Sequence, residues 1–194
     1  MQTLRSFRNL SRYKKMRIGL LGGSFNPPHA GHFFISKQAQ KKMQLDRIWW
    51  VVSPQNPLKS SENMADFSAR EAACSQFMRN RKIELCTLEA LLSAPYTTHK
   101  FIDKLKKHCV DVEFFWIIGS DNLEQLQRWF RWKNLSEKID FIIFDRGKSW
   151  HRSVRSKSNI CLRKRSKKLF FMHGKKHQAS SSLIRDKIGF RKKL

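Results

Sequence analysis

"IGLLGGSFNPPHAGHFFIS", residues 18–36, leaves an apolar run through two glycines and two prolines, then sets two histidines before another apolar run. Residues 17–22 (RIGLLG) predict a short buried strand stopped by glycine. Residues 31–44 predict a helix, with Phe33, Phe34, Ala39 and Met43 among its apolar positions. In the turn, Gly22 and Gly23 permit close backbone approach and positive φ, so successive amides can face an anion. Pro27 and Pro28 stiffen it, and the helix start adds unpaired N–H groups and a partial positive charge. His29 and His32, three apart, share a side of the first helical turn.

Imidazoles placed there can donate hydrogen bonds to phosphate oxygens as negative charge builds at phosphorus. The same pair also fits a structural turn with two partly buried histidines, or two ligands of a metal site, for which no nearby Asp or Glu supplies a third. Neither G-x-G-x-x-G nor G-x-x-x-x-G-K-[ST] occurs, which argues against hydride transfer and kinase-type phosphate chemistry.

The rest of the chain repeats the alternation. Strands are predicted over 47–53 (RIWWVVS), 82–86 (KIELC), 112–119 (VEFFWIIG), 140–145 (DFIIFD) and 168–173 (KLFFMH). Helices are predicted over 66–79, capped by Asp66, and over 97–108, about 121–128, 133–138 and 180–188. Residues 147–167 are polar, basic and without clear periodicity. Strands that alternate with helices and are apolar on both faces indicate an α/β fold with a parallel sheet of five to six strands, whose ligands bind beyond the carboxyl ends.

Fifteen Phe and six Trp in 194 residues supply apolar bulk for one domain. No apolar run approaches the roughly 18 residues of a membrane span, so no membrane partner is expected. Cys74, Cys86, Cys109 and Cys161 are widely spaced and read as reduced thiols of a cytoplasmic protein rather than as disulfides or a zinc site. The net charge of +25 is concentrated at the ends: residues 1–15 hold five Lys/Arg and no acid, and residues 146–194 hold seventeen against Asp186 alone. Such ends fit a solvated basic surface, an anionic small substrate or nucleic acid. Residues 1–15 match either a transit peptide or a flexible basic extension before a single domain spanning 16–190, with 191–194 as a basic tail.

"GGSFNPPHAGH" resembles the signature of the nucleotidyltransferase superfamily, whose H-x-G-H element binds the triphosphate of ATP. More narrowly it is similar to the GG[ST]F[DN]P-x-H-x-GH form of bacterial nicotinate-mononucleotide adenylyltransferases. Four further stretches follow in that family's order. "WVVSPQNPLK" resembles its second strand and following loop, which implies Asn56 and Lys59 near the acceptor nucleotide. "APYTTHKFIDKL" resembles S-Y-T-x-D-T-L, with Tyr96 and Thr97 matching and His99-Lys100 standing where Asp-Thr is usual. "WIIGSDNLEQLQRWFRW" resembles G-[AS]-D-x-L…W, implying that Gly119, Ser120 and Asp121 line the cleft and Trp129 stacks on the nicotinate ring. "ASSSLIRDKI" resembles I-S-S-T-x-I-R, implying that Ser180, Ser181, Ser182 and Arg185 bind ATP phosphates.

Without the resemblance, Thr97 and Asp121 read equally as helix caps, Trp129 as core, Lys59 as a solvated loop residue and the serines as a linker. With it, the expected fold is a Rossmann-like doubly wound sheet. The expected reaction is adenylyl transfer from ATP to nicotinate mononucleotide, giving nicotinate adenine dinucleotide and pyrophosphate in NAD synthesis. His32 and His29 would be catalytic, Gly22, Gly23, Ser24 and Phe25 would join the phosphate site, and Mg²⁺ would arrive with ATP, with no protein-held metal. Another acceptor (nicotinamide mononucleotide or phosphopantetheine) and a nucleic-acid-binding protein on an inactive scaffold are the rival readings. Nucleic acid is the less expected partner, because the basic tract has few interleaved aromatics. Self-association into a homo-oligomer stays open.

Overall fold

The computed structural model describes residues 3–8, 10–55, 62, 64–78, 80–145, 150–165, 169–172 and 181. In chain order the regular elements are β1 (Thr3–Leu4), β2 (Arg17–Gly23), α1 (Ala30–Met43), β3 (Arg47–Val52), α2 (Phe67–Phe77), β4 (Ile83–Cys86), α3 (Thr98–His108), β5 (Glu113–Gly119), α4 (Ser120–Gln125), α5 (Trp132–Lys138), β6 (Asp140–Phe144), α6 (Trp150–Val154), α7 (Lys157–Arg165) and β7 (Leu169–Met172). Short 3-10 turns lie at Leu10–Tyr13, Leu88–Leu91 and Leu126–Arg128.

All strand pairings are parallel, in the order β1-β4-β3-β2-β5-β6-β7. This is the doubly wound α/β arrangement, with seven strands rather than five or six. The added strand is β1. After β2 the chain builds outward through β3 and β4; it then returns to the other side of β2 with β5. Such a reversal opens a crevice beyond the carboxyl ends of the strands that flank it.

Period-2 alternation splits the apolar residues between two cores. Trp49 joins the core that holds Leu20, Phe101 and Leu123, whereas its neighbour Trp50 joins the one that holds Ile35, Ala39, Cys74 and Ile117. Both indoles are fully buried, and Trp50 Nε1 donates to Ser36 Oγ at 2.8 Å, which ties β3 to α1.

Residues 3–13 differ from the expected flexible extension. Thr3 and Leu4 pair in register with Leu85 and Cys86, and Leu4, Leu10 and Tyr13 are buried. The reason is legible in hindsight: Leu4, Phe7, Leu10 and Tyr13 recur every third residue among the arginines, and together they cover one end of the first core. Tyr13 Oη donates to Glu84, which also receives Arg47 Nε at 3.2 Å.

Residues 147–167, unassigned from sequence, include α6 and α7. They are anchored by fully buried Leu162 and by Ser153, whose hydroxyl donates to Ser120 O at 2.6 Å and lies 3.1 Å from Glu124 Oε1. Asp66 stands at the start of α2 as expected, but its side chain makes no capping hydrogen bond. Cys74, Cys86 and Cys109 are buried free thiols and Cys161 is half-buried. Burial pushes the first two up to about 12 and Cys109 to about 11, so they are inert thiols of the core. No helix among the described residues is long and apolar enough to cross a membrane. The last predicted helix, 180–188, lies outside the described residues except for Ser181.

Candidate active site

The exit of β2 forms the floor of a cavity of about 370 Å³. Its lining includes Gly22, Gly23 and Ser24 from this exit, Ser53 from the end of β3, Tyr96 and Thr97 from the start of α3, and Trp129 after the turn that follows α4. Four separate segments that the sequence reading assigned to one site therefore meet, or border one another, at the carboxyl edge of the sheet. Gly22 is required there by space. A Cβ on it would lie 2.5 Å from Trp116 Cζ2, so the indole of β5 can cover the exit of β2 only because residue 22 has no side chain.

The histidines hold one another and the helix start. His29 is the N-cap of α1: its Nδ1 accepts from Gly31 N at 3.1 Å, while His32 Nδ1 accepts from His29 N at 3.2 Å. This reciprocal arrangement is a capping box built from imidazoles instead of Ser and Glu. With Nδ1 accepting in both rings, the neutral imidazoles carry their protons on Nε2. The two rings lie against each other, tilted by 37°, with centroids 3.8 Å apart. The pair is therefore fixed in tautomer and orientation before any ligand binds.

Phe25 departs from the simplest expectation for a phosphate-site residue. Its ring is buried, 4.7 Å from His32 and stacked at 5.0 Å on Trp50, so only its backbone can serve an anion. That backbone has φ 48°, the left-handed region. Ser181 lies against the same turn, its hydroxyl donating to Pro27 O at 3.0 Å. Asn56, Lys59, Ser180, Ser182 and Arg185 lie outside the described residues.

On the other side, Thr97 caps α3, its Oγ1 accepting from Lys100 N at 3.4 Å. Trp129 is half-buried and meets Trp116 edge-on at 6.4 Å. Gly119, Ser120 and Asp121 start α4, but they are not among the cavity-lining residues, and Ser120 is fully buried; Asn122 is the residue of this turn that reaches the cavity. His99, standing where the resembled motif has Asp, is buried in the cavity wall. Its Nε2 lies 2.7 Å from Asn134 Oδ1 and its Nδ1 3.3 Å from Asp103 Oδ2, which Lys138 also pairs. A carboxylate thus stands one residue farther back, behind an imidazole.

Sequence reasoning singled out neither Glu89 nor Arg70. Glu89 lines the cavity at 5% exposure, and burial pushes it up to about 7, opposed by a hydrogen bond from Ser53. Arg70, from α2, is 2% exposed and reaches the backbone beneath the cavity floor. Most partners of Arg70, and the Ser53 partner of Glu89, lie 16 or more residues away in sequence, so neither spacing nor motif could flag them. Trp116, Arg128 and Phe130 complete the wall.

A cytidylyltransferase-like family model matches residues 20–187. The "probable nicotinate-nucleotide adenylyltransferase" of Bradyrhizobium sp. (strain ORS 278) is 43% identical over 131 residues, 68% of each chain. That of Agrobacterium fabrum is 33% identical over 185 residues, which cover 88% of this chain and 98% of the relative. Among solved structures, the nicotinic acid mononucleotide adenylyltransferase of Plasmodium falciparum, complexed with NaAD, superposes with a TM-score of 0.70 at 21% identity, over 88% of this chain and 83% of that one. At that identity the likeness concerns the fold.

Proposed function

The chain belongs to the cytidylyltransferase-like family and, within it, to the nicotinate-nucleotide adenylyltransferases; from that premise we propose how its cleft transfers the adenylyl group of ATP to nicotinate mononucleotide. The products are nicotinate adenine dinucleotide and pyrophosphate, a step of NAD synthesis. The observation that carries the reading is the interlocked His29–His32 pair at the start of α1, beside a cavity that gathers Gly22–Ser24, Tyr96, Thr97 and Trp129.

The acceptor's phosphate is anionic at neutral pH and needs no general base. One of its oxygens attacks the α-phosphorus of ATP in line with the departing bridging oxygen, which leaves with pyrophosphate. Catalysis then consists of positioning and of stabilising charge on the phosphoryl oxygens. The Nε2–H groups of His32 and His29 are the donors for that charge, supported by the backbone of Gly22 to Phe25 and the partial positive end of α1. Ser181, with Ser180, Ser182 and Arg185, would hold the β- and γ-phosphates, and Asn56 and Lys59 the acceptor's phosphate. Tyr96 and Thr97 would hydrogen-bond the acceptor, Trp129 would stack on its pyridine ring, and Asn122 would take the polar contact looked for at Ser120 and Asp121.

Mg²⁺ enters as the counter-ion of ATP and thus as part of the substrate. Among the described residues no group of three or more His, Cys, Asp or Glu is arranged to hold a metal. A cytoplasmic setting, where ATP is at hand, goes with the reading. The test is pyrophosphate release by purified protein given ATP, Mg²⁺ and either nicotinate or nicotinamide mononucleotide. Release with the nicotinate form, and a lower kcat/KM with the amide, are expected; no release above background would overturn the reading.

A further inference from the structure

Arg70 enters the fold from the first turn of α2 and is buried, though cationic. Its guanidinium reaches four main-chain carbonyls. Nε donates to Ala65 O at 2.9 Å, Nη1 to Ser24 O and Ser53 O at 2.8 Å each, and Nη2 to Pro54 O at 2.8 Å. Its central carbon lies 5.4 Å from the Phe67 ring centroid. Among the described residues no carboxylate forms an ion pair with it; all four acceptors are neutral.

Those carbonyls come from the two loops that border the catalytic cleft. Ser24 follows the glycines at the exit of β2, and Ser53 and Pro54 follow β3. The loops touch directly as well, through Ser53 N donating to Gly23 O at 3.0 Å. A peptide group is planar, with C=O and N–H on opposite sides. Holding Ser24 O toward the guanidinium therefore turns the Phe25 N–H away from it, and holding Pro54 O does the same for Gln55 N–H. Phe25 follows at once with φ 48°, a conformation that non-glycine residues seldom adopt unless their surroundings impose it.

Burying a cation without a counter-ion is costly, and an apolar side chain of similar volume would fill the same space at less cost. What an apolar residue cannot do is bind two separate loops, and a lysine offers a point charge instead of a rigid planar fork. We propose that Arg70 is a positioning residue of the transfer reaction: its guanidinium fixes the phosphate-binding turn at 22–25 against the acceptor-side loop at 53–55. The assignment rests on the adenylyl-transfer reading of the cleft.

The experiment compares Arg70→Lys and Arg70→Met with the native enzyme in pyrophosphate release, with kcat counted per folded molecule from the thermal unfolding curve at the assay temperature. Misplacement of reacting groups by about 1 Å costs on the order of 10²-fold in rate. Both folded variants are expected to lose about that factor in kcat, with the KM for nicotinate mononucleotide changed less than about threefold, and with Arg70→Lys recovering only a small part. A folded variant that melts earlier yet keeps kcat within twofold of native would overturn the proposal, because the side chain would then serve stability alone. Failure of both variants to fold would also overturn it, by making Arg70 a determinant of the fold. If the native enzyme itself releases no pyrophosphate, the adenylyl-transfer reading fails first, a result told apart from the others by needing no variant.

Discussion

The two sides of the cleft are built on opposite principles. The side proposed to hold the phosphates is a run of consecutive residues, 22–32, whose orientation is imposed by Arg70 and from within by the interlocked histidines. The side proposed to take the acceptor is assembled from separate pieces of the chain, at 89, 95–99, 116–122 and 128–130, and carries Tyr96, Trp116, Trp129 and Phe130. Each side also buries one charged group. Arg70 satisfies its donors on four carbonyls and, although burial lowers its pKa, an arginine starts high enough to stay charged. Glu89 has the Ser53 hydrogen bond against its desolvation and rises to about 7. The difference teaches that burial alone does not decide whether a charge survives; the group's starting pKa and its matched partners do. Ser53 touches both, its carbonyl on Arg70 and its side chain on Glu89.

The contrast breaks most sharply at His32. His32→Ala removes one preorganised donor and the reciprocal half of the cap, and turnover should fall by about 10²-fold or more. Near-native kcat in steady-state pyrophosphate release would dismiss the donor role. Glu89→Gln probes the other buried group. A carboxyl whose folded pKa is raised from 4.5 to about 7 favours the folded state while protonated, and that advantage is lost as pH rises through this window. The glutamine variant should therefore match the native protein near pH 4.5 and exceed it by roughly 3 kcal/mol at pH 8. Urea unfolding at the two pH values measures this, and a gap that does not change with pH would contradict it.

Gly22→Ala tests where the two sides meet. The added methyl collides with Trp116, and overpacking of this kind costs about 1–3 kcal/mol, to be read as a lower melting temperature. An unchanged melting point would mean that the indole can move aside. Trp129→Ala is expected to do least: KM for nicotinate mononucleotide should rise about tenfold, the loss of one stacking partner, with kcat nearly unchanged. A fall in kcat as large as that of His32→Ala would show that the acceptor side also takes part in the chemistry.

How much was legible in the sequence follows from the same contrast. The geometry of the turn at 22–32 could be read because its residues are contiguous and each constraint has its own signature: glycine for close approach, proline for the turn, a pair three apart for one helix face. Tyr96, Thr97 and Trp129 were recognisable only through a resemblance, since an aromatic at helical spacing looks like core until its neighbours in space are known. Arg70 and Glu89 were not legible. The partners that define them lie up to 46 residues away, and all four acceptors for Arg70 are backbone atoms of loops, which no side-chain pattern encodes. The alternating strands placed the sheet correctly, but β1 was missed because two residues carry no period and the arginines around them resemble a disordered segment.

That short strand has a consequence of its own. Leu4 O accepts from both the amide and the hydroxyl of Thr87, at 3.0 and 3.1 Å, and Thr87 begins the turn that carries Glu89. β1 also occupies the outer side of β4, which would otherwise offer its unpaired amides and carbonyls to solvent. A shortened chain beginning at Met16 would thus expose a bare sheet edge, open to the incoming strand of another copy. A chain cut before Met16 is therefore expected to aggregate more readily than the full one, to be read by light scattering of the two.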